Sequence, residues 1–149
     1  MKSIRELLRE RDPVSLPGTA TVLDAVRKMN EAHIGAVLVR DAGGAVGVFT
    51  ERDLMTRVVE PGLEPRTTVL ARVMTRDLFT SPPDRRINEV AREMQDRHIR
   101  HLPVVENGEV IGILSLRDLL REHLAVKRGE VQALTAYIQG ESDAPVASG

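Results

Sequence analysis

Apolar side chains at Val22, Ala25, Val26 and Met29 fall at i, i+3, i+4 and i+7, and Ile87, Val90, Ala91 and Met94 repeat that spacing further on. Each set predicts an amphipathic helix of about three turns. Thr21 with Asp24 three residues later can cap the first helix; Arg86, in the matching place, cannot cap the second. After each helix the pattern changes to a short continuous apolar run, at 36–39 and 102–105, followed by turn residues, Asp41-Ala42-Gly43-Gly44 or Glu106-Asn107-Gly108-Glu109. Second apolar runs at 46–49 and 110–114 complete two hairpins, the Asn-Gly pair being a strong turn signal. Further helices are expected at 51–59 and 116–126. The unit reads strand, helix, strand, strand, helix, and it occurs twice in a mixed α/β (α+β) chain.

The repetition extends beyond pattern to residue identity. Shifting the chain on itself by 65 positions lays Val14 on Phe79 and Arg57 on Glu122 without a gap. Pro17/Pro82, Arg27/Arg92, His33/His98, Ile34/Ile99, Val39/Val104 and Gly43/Gly108 coincide, as do Gly47-Val48-Phe49-Thr50-Glu51-Arg52-Asp53 and Gly112-Ile113-Leu114-Ser115-Leu116-Arg117-Asp118 in outline. The expected organisation is an N-terminal helix at 1–12, a first repeat with linker at 13–66 and a second repeat at 67–126. A C-terminal helix at 127–140, ended by Gly140, and a disordered tail at 141–149 follow. A breaker-rich linker at 60–65 and a short helix at 69–74 lead into the second copy. Copies this small are marginal alone, so they are expected to share one core.

Composition narrows the function classes. In 149 residues the net charge is −1, against a general polyanion binder, so nucleic acid is an unfavoured partner. There is no cysteine, which excludes disulfides and thiol chemistry. No run approaches a membrane span, and the opening residues lack the apolar stretch of a signal peptide, so a soluble cytoplasmic protein is expected. With 42% apolar but only 2% aromatic residues, the core must consist of aliphatic side chains and Met, and Met29/Met94 belong to it.

The repeated motif carries the candidate chemistry. Gly47 and Gly112 sit inside strands, where a missing side chain signals close approach of another group. Thr50 and Ser115 precede helices and can cap free N–H groups; those N–H groups, with Arg52 and Arg117 in the first turn, also suit an anion. Asp53 and Asp118 either complete capping boxes or accept the hydroxyls of a ribose. His33 and His98 occupy equivalent helix ends, a structural place, whereas His101 lacks a counterpart and is the better functional candidate. His98-x-x-His101 has no third ligand nearby, so no metal is expected. No nucleophile and base pair stands out, and no catalysis is expected.

The paired Gly-h-x-Thr/Ser-x-x-Asp signatures, the repeat order and the stretch His98-Ile99-Arg100-His101-Leu102-Pro103-Val104-Val105 resemble a tandem pair of cystathionine β-synthase-type (CBS) domains, the Bateman module. The similarity spans about 14–126, and the chain looks like the small stand-alone bacterial CBS-pair proteins. The resemblance implies a pseudo-twofold module, usually dimeric, whose clefts bind adenosine derivatives such as AMP, ATP, NAD or S-adenosylmethionine. By that resemblance Asp53 and Asp118 would hold ribose, while Thr50, Arg52, Ser115, Arg117, Arg100 and His101 would hold phosphate. Ile34, Gly35, Ala36, Val37, Leu102, Pro103, Gly47 and Gly112 would line the adenine side. Because copy one has Gly35-Ala36 where copy two has Arg100-His101, and Glu51 where copy two has Leu116, the two sites are expected to be unequal. The function implied is an adenine-nucleotide sensor, a homodimer acting on an unidentified protein partner. The rival is an interaction protein that binds no nucleotide and whose motifs are only helix caps.

Overall fold

The computed structural model describes residues 3–8 and 13–143, with side chains as far as 139. The remainder of the expected N-terminal helix and tail lies outside the described residues. Both amphipathic helices form where their periodicity places them, α2 at Val22–Ala32 and α5 at Ile87–Asp96. Thr21 and Asp24 make the expected capping box, with Asp24 N–H donating to Thr21 Oγ1 at 3.2 Å and Thr21 N–H to Asp24 Oδ2 at 2.9 Å. These bonds hold the Asp24 carboxyl below its usual range. Arg86 makes no side-chain cap. His33 and His98 then turn the chain in the left-handed region, at φ 56° and 55°. Ile34 N–H donates to Met29 O and Ile99 N–H to Met94 O, each at 3.0 Å, closing both helix ends alike.

Beyond the turns come the hairpins β2 (Ala36–Asp41) with β3 (Gly44–Thr50), and β4 (His101–Glu106) with β5 (Glu109–Ser115). Their registers match residue for residue: Val39 lies opposite Gly47 and Val104 opposite Gly112, and each ladder slips just after that pair. The copies part company at their first strands. In copy one β1 (Ser15–Pro17) pairs in parallel with β2, making the sheet β1-β2-β3. In copy two the expected strand is only a bridge between Ser81 and Val104 beside the sheet β4-β5. The reason is one residue. Leu38 N–H donates to Val14 O at 2.9 Å, but its counterpart is Pro103, which has no N–H to donate to Phe79.

The closing helices also differ. Copy one has α3 (Glu51–Asp53), which runs on into a π-helical stretch at Leu54–Val59; Glu60 N–H bonds Met55 O at 3.0 Å, five residues back. In copy two α6 is one continuous helix, Leu116–Asp143, which replaces the two helices expected at 116–126 and 127–140. Gly129 and Gly140 do not end it. A glycine terminates a helix by adopting a left-handed conformation, and neither does so here.

The expectation of one shared core is also corrected. Copy one's core holds Val22, Ala25, Val37, Phe49 and Val58, and copy two's holds Ile87, Val90, Met94, Leu102 and Leu114. The short helices that lead into each copy are exchanged. α1 (Ile4–Leu8) puts Ile4, fully buried, into copy two's core, and α4 (Leu70–Val73) puts Leu70 and Val73 into copy one's. Equivalent backbone bonds fix both: Ile4 N–H to Arg85 O at 3.2 Å and Leu70 N–H to Ala20 O at 2.8 Å. Arg5 adds ion pairs to Glu106 and, at 3.2 Å, to Asp84. A small third cluster, Ala36, Leu38 and Val48 against Leu78, Val110 and Ile113, joins the two sheets. Each half thus lacks a piece of core that only the other half's leader supplies.

Candidate functional site

Both repeated motifs fold first as helix caps. Asp53 N–H donates to Thr50 Oγ1 at 3.2 Å and Thr50 N–H to Asp53 Oδ2 at 3.0 Å; Asp118 N–H donates to Ser115 Oγ at 3.0 Å and Ser115 N–H to Asp118 Oδ2 at 3.4 Å. The carbonyl before each hairpin satisfies one more helix donor, Gly35 O taking Glu51 N–H at 3.0 Å and Arg100 O taking Leu116 N–H at 2.7 Å. Up to this point the copies are equivalent.

Their surroundings are not. Asp53 is buried, and its second oxygen accepts from the Thr75 hydroxyl at 2.9 Å and lies 3.5 Å from Arg57 Nε. Thr75 reaches it because residues 74–75 continue from α4 along the edge of β3, with Val48 and Thr75 exchanging backbone bonds at 2.9 and 3.0 Å. That segment is what approaches Gly47: a Cβ there would stand 2.7 Å from Thr75 O and 2.8 Å from Met74 Sδ. Arg52 is turned away as well, donating to His98 O at 3.1 Å. Thr50, Arg52, Asp53 and Gly47, expected around a ligand, are therefore engaged by the chain itself and do not line the cleft onto which copy two's motif opens.

Copy two's motif opens onto a cleft of about 1090 Å³ between the copies. Ser115, Arg117, Asp118, Arg100 and His101 line it from one side, and Ile34, Gly35, Ala36 and Glu51 from the other. Seven of the expected residues thus converge besides Asp118 itself. Val37, Leu102 and Pro103 do not: all three are buried, Val37 and Leu102 in the cores of the two copies. Gly112 is also absent from the lining, since Leu8 of α1 packs where its Cβ would be, 2.7 Å away.

Gly35 is required by what meets over it. A Cβ there would fall 2.9 Å from Glu51 Oε1 and 3.0 Å from His101 Nε2, so a carboxylate of copy one and an imidazole of copy two converge on bare backbone. Burial pushes the His101 imidazole below its usual pKa, against the opposing pull of Glu51 and Asp118.

Sequence reasoning missed Arg121, Leu116, Leu120 and Leu124, which complete the cleft from α6. Helical spacing could have found Arg121, one turn beyond Arg117 on the same face. Arg100, Arg117 and Arg121 form a cationic side near the N-terminus of α6 with the His101 imidazole beside them, Asp118 supplies an acceptor, and Ile34 with Leu116, Leu120 and Leu124 forms an apolar wall. Such a cleft can hold an anion, a hydroxyl-bearing ring and a flat apolar group together. Among the described residues no three His, Asp or Glu side chains are grouped as a metal site, and no helix is long and apolar enough to cross a membrane.

Comparison with known proteins agrees with this architecture. The family model described as "CBS domain" matches twice, over residues 4–60 and 70–125. The chain is 34% identical over 125 residues to the mitochondrial CBS domain-containing protein CBSX3 of Arabidopsis thaliana, covering 80% of this chain and 61% of that one. It spans no more than 61% of the length of the first curated relatives it matches. Among solved structures, a protein with CBS domains from Burkholderia ambifaria superposes with a TM-score of 0.76 at 28% identity, covering 83% of this chain and 95% of that one. A CBS domain protein from Pyrobaculum aerophilum, solved in complex with AMP, gives a TM-score of 0.69 at 30% identity, covering 78% and 89%. With two matched repeats, exchanged leader helices and a cleft between the copies, the chain belongs to the CBS domain family, as a tandem pair.

Proposed function

We propose that the protein is a regulatory module that binds an adenine nucleotide of the AMP, ATP or NAD type in the cleft lined by copy two's motif. Asp118 accepts the ribose hydroxyls. Ser115, Arg117, Arg121, Arg100 and His101, with the first N–H groups of α6, take the phosphate, and the base lies between Ile34, Ala36 and the apolar wall. The observation that carries the reading is the contrast between two equal motifs: Asp118 lines a cleft of about 1090 Å³, whereas Asp53 is buried against Thr50, Thr75 and Arg57. The AMP bound by the Pyrobaculum aerophilum relative supports the ligand class. The ligand acts without chemistry, in a cytoplasmic homodimer, by favouring one dimer or partner geometry; only a difference in affinity between geometries can do so.

Calorimetry and thermal shift test this. One site per chain is expected, and ligand at about 100 times its Kd should stabilise the fold by about 2.7 kcal/mol. Asp118→Asn keeps an acceptor for the Ser115 N–H but removes the charge, and should weaken binding roughly tenfold or more, or about 1.4 kcal/mol. The rival reading, an interaction protein, draws on the fact that both motifs do form capping boxes. It wins if saturating AMP, ATP and NAD all leave the melting temperature unchanged.

A further inference from the structure

The last part of α6 lies beyond the second CBS match, which ends at residue 125. It holds large apolar side chains in the open. Val131, Leu134 and Ile138 are 62%, 60% and 55% exposed, and they continue a row begun at the cleft rim by Leu120 and Leu124, 53% and 55% exposed. A helix facing only water does not need such a row, because an apolar stripe is normally laid against a core. The spacing indicates what the row fits. Leu124, Val131 and Ile138 are seven residues apart, and Leu120, Lys127 and Leu134 form a second seven-residue series between them. Together they make the a and d positions of a coiled-coil seam, a narrow stripe that packs into another helix of the same repeat.

We propose that this part of α6 is a self-association seam, pairing antiparallel with α6 of a second copy. The seam's own chemistry sets occupant and direction. In parallel, in-register pairing Lys127 would lie against the second copy's Lys127, stacking like charges in the apolar layer. Antiparallel pairing sets Leu120 against the second copy's Ile138, Leu124 against its Leu134, and Lys127 against its Val131. There the Lys127 stem covers Val131 while its ammonium stays in water, beside Glu130 at 3.3 Å. Every apolar layer is then self-complementary, as a twofold interface between identical chains requires. The area is sufficient as well. A Leu-sized side chain withdraws roughly 60–120 Å² from water on burial, so five on each of two helices remove about 600–1200 Å², a range that reaches the roughly 1,000 Å² of a specific interface. Because Leu120 and Leu124 line the cleft, the second copy's Ile138 and Leu134 would form part of its rim. The inference rests on the helix and does not depend on the nucleotide reading.

Sedimentation of the full chain tests it. The protein should sediment as a dimer, and Val131→Glu with Leu134→Glu should raise the dimer dissociation constant roughly tenfold or more, with an unchanged far-UV spectrum. Direction is read from cysteines placed in this cysteine-free chain. Mixing Leu124→Cys and Leu134→Cys proteins should give the mixed disulfide, while Leu124→Cys alone should link poorly to itself. A monomeric wild-type chain, a double variant that dimerises as tightly as wild type, or self-linking of Leu124→Cys that matches the mixed reaction would overturn the proposal.

Discussion

Replacing Asp53 and Asp118 by alanine, one at a time, should separate two residues that the sequence presents as equivalent. At Asp53 the carboxylate accepts the Thr50 N–H at 3.0 Å, the Thr50 hydroxyl at 3.2 Å and the Thr75 hydroxyl at 2.9 Å, all at a buried position. A hydrogen bond to a charged group contributes about 1.5–3 kcal/mol, and the loss of a helix cap costs about 1 kcal/mol. The hydroxyls can turn to other acceptors and Arg57 is half-exposed, so its pair adds little. The expected total for Asp53→Ala is about 3–4 kcal/mol, in the steep tail of single substitutions. Asp118→Ala removes the 3.4 Å cap bond from Ser115 N–H at a half-buried place where water can replace the carboxylate's contacts, for about 1 kcal/mol. Urea unfolding at neutral pH measures the gap, and the melting temperatures should differ by about 4–12 °C, at 2–4 °C per kcal/mol for a chain of this size. Equal losses at the two positions would refute the reasoning, since they would mean that Asp53 is no more deeply engaged than its counterpart.

The same asymmetry predicts opposite tolerance at the strand glycines. Gly47→Ala meets the backbone oxygen of Thr75 and should cost about 2 kcal/mol or more, as overpacking does, while Gly112→Ala meets only the flexible end of Leu8 and should cost less in the same urea titration. Ile4→Ala should cost about 2–5 kcal/mol as a fully buried truncation, and amide exchange should rise in α5, β4 and β5 before α2, β2 and β3, because Ile4 packs in copy two's core. His101, held below its ordinary value of 6.5 by burial, favours the uncharged fold. Its contribution to stability is therefore present above pH 6.5 and is lost as pH falls from there towards the folded value. His101→Gln should flatten that part of the stability profile, and should also abolish a rise in affinity for a phosphate-bearing ligand on acidification.

The local rules held wherever a short stretch of chain decides the outcome. The i, i+3, i+4 spacing placed α2 and α5, Thr21-x-x-Asp24 capped one of them, and the two-residue turns set both hairpins, because periodicity, capping and turn chemistry act within a few residues. Where one residue breaks a local bond, the consequence was readable but easily overlooked: Pro103 removes the N–H on which copy two's first strand depends. Arg121 had a signal too, in its spacing from Arg117.

The rest was decided by contacts between distant segments, which periodicity does not encode. That there are two copies, that each bears the same cap of hydroxyl and Asp, and that the chain is a CBS pair all follow from the sequence alone. That Asp53 is closed off and Asp118 lines a cleft does not, because it depends on Thr75 arriving along β3. Neither does the exchange of α1 and α4 between the halves, nor the convergence of Glu51 and His101 on Gly35. The two hydroxyl-x-x-Asp motifs adopt the same capped turn; their burial, and so their chemistry, is set by whichever remote segment packs against them.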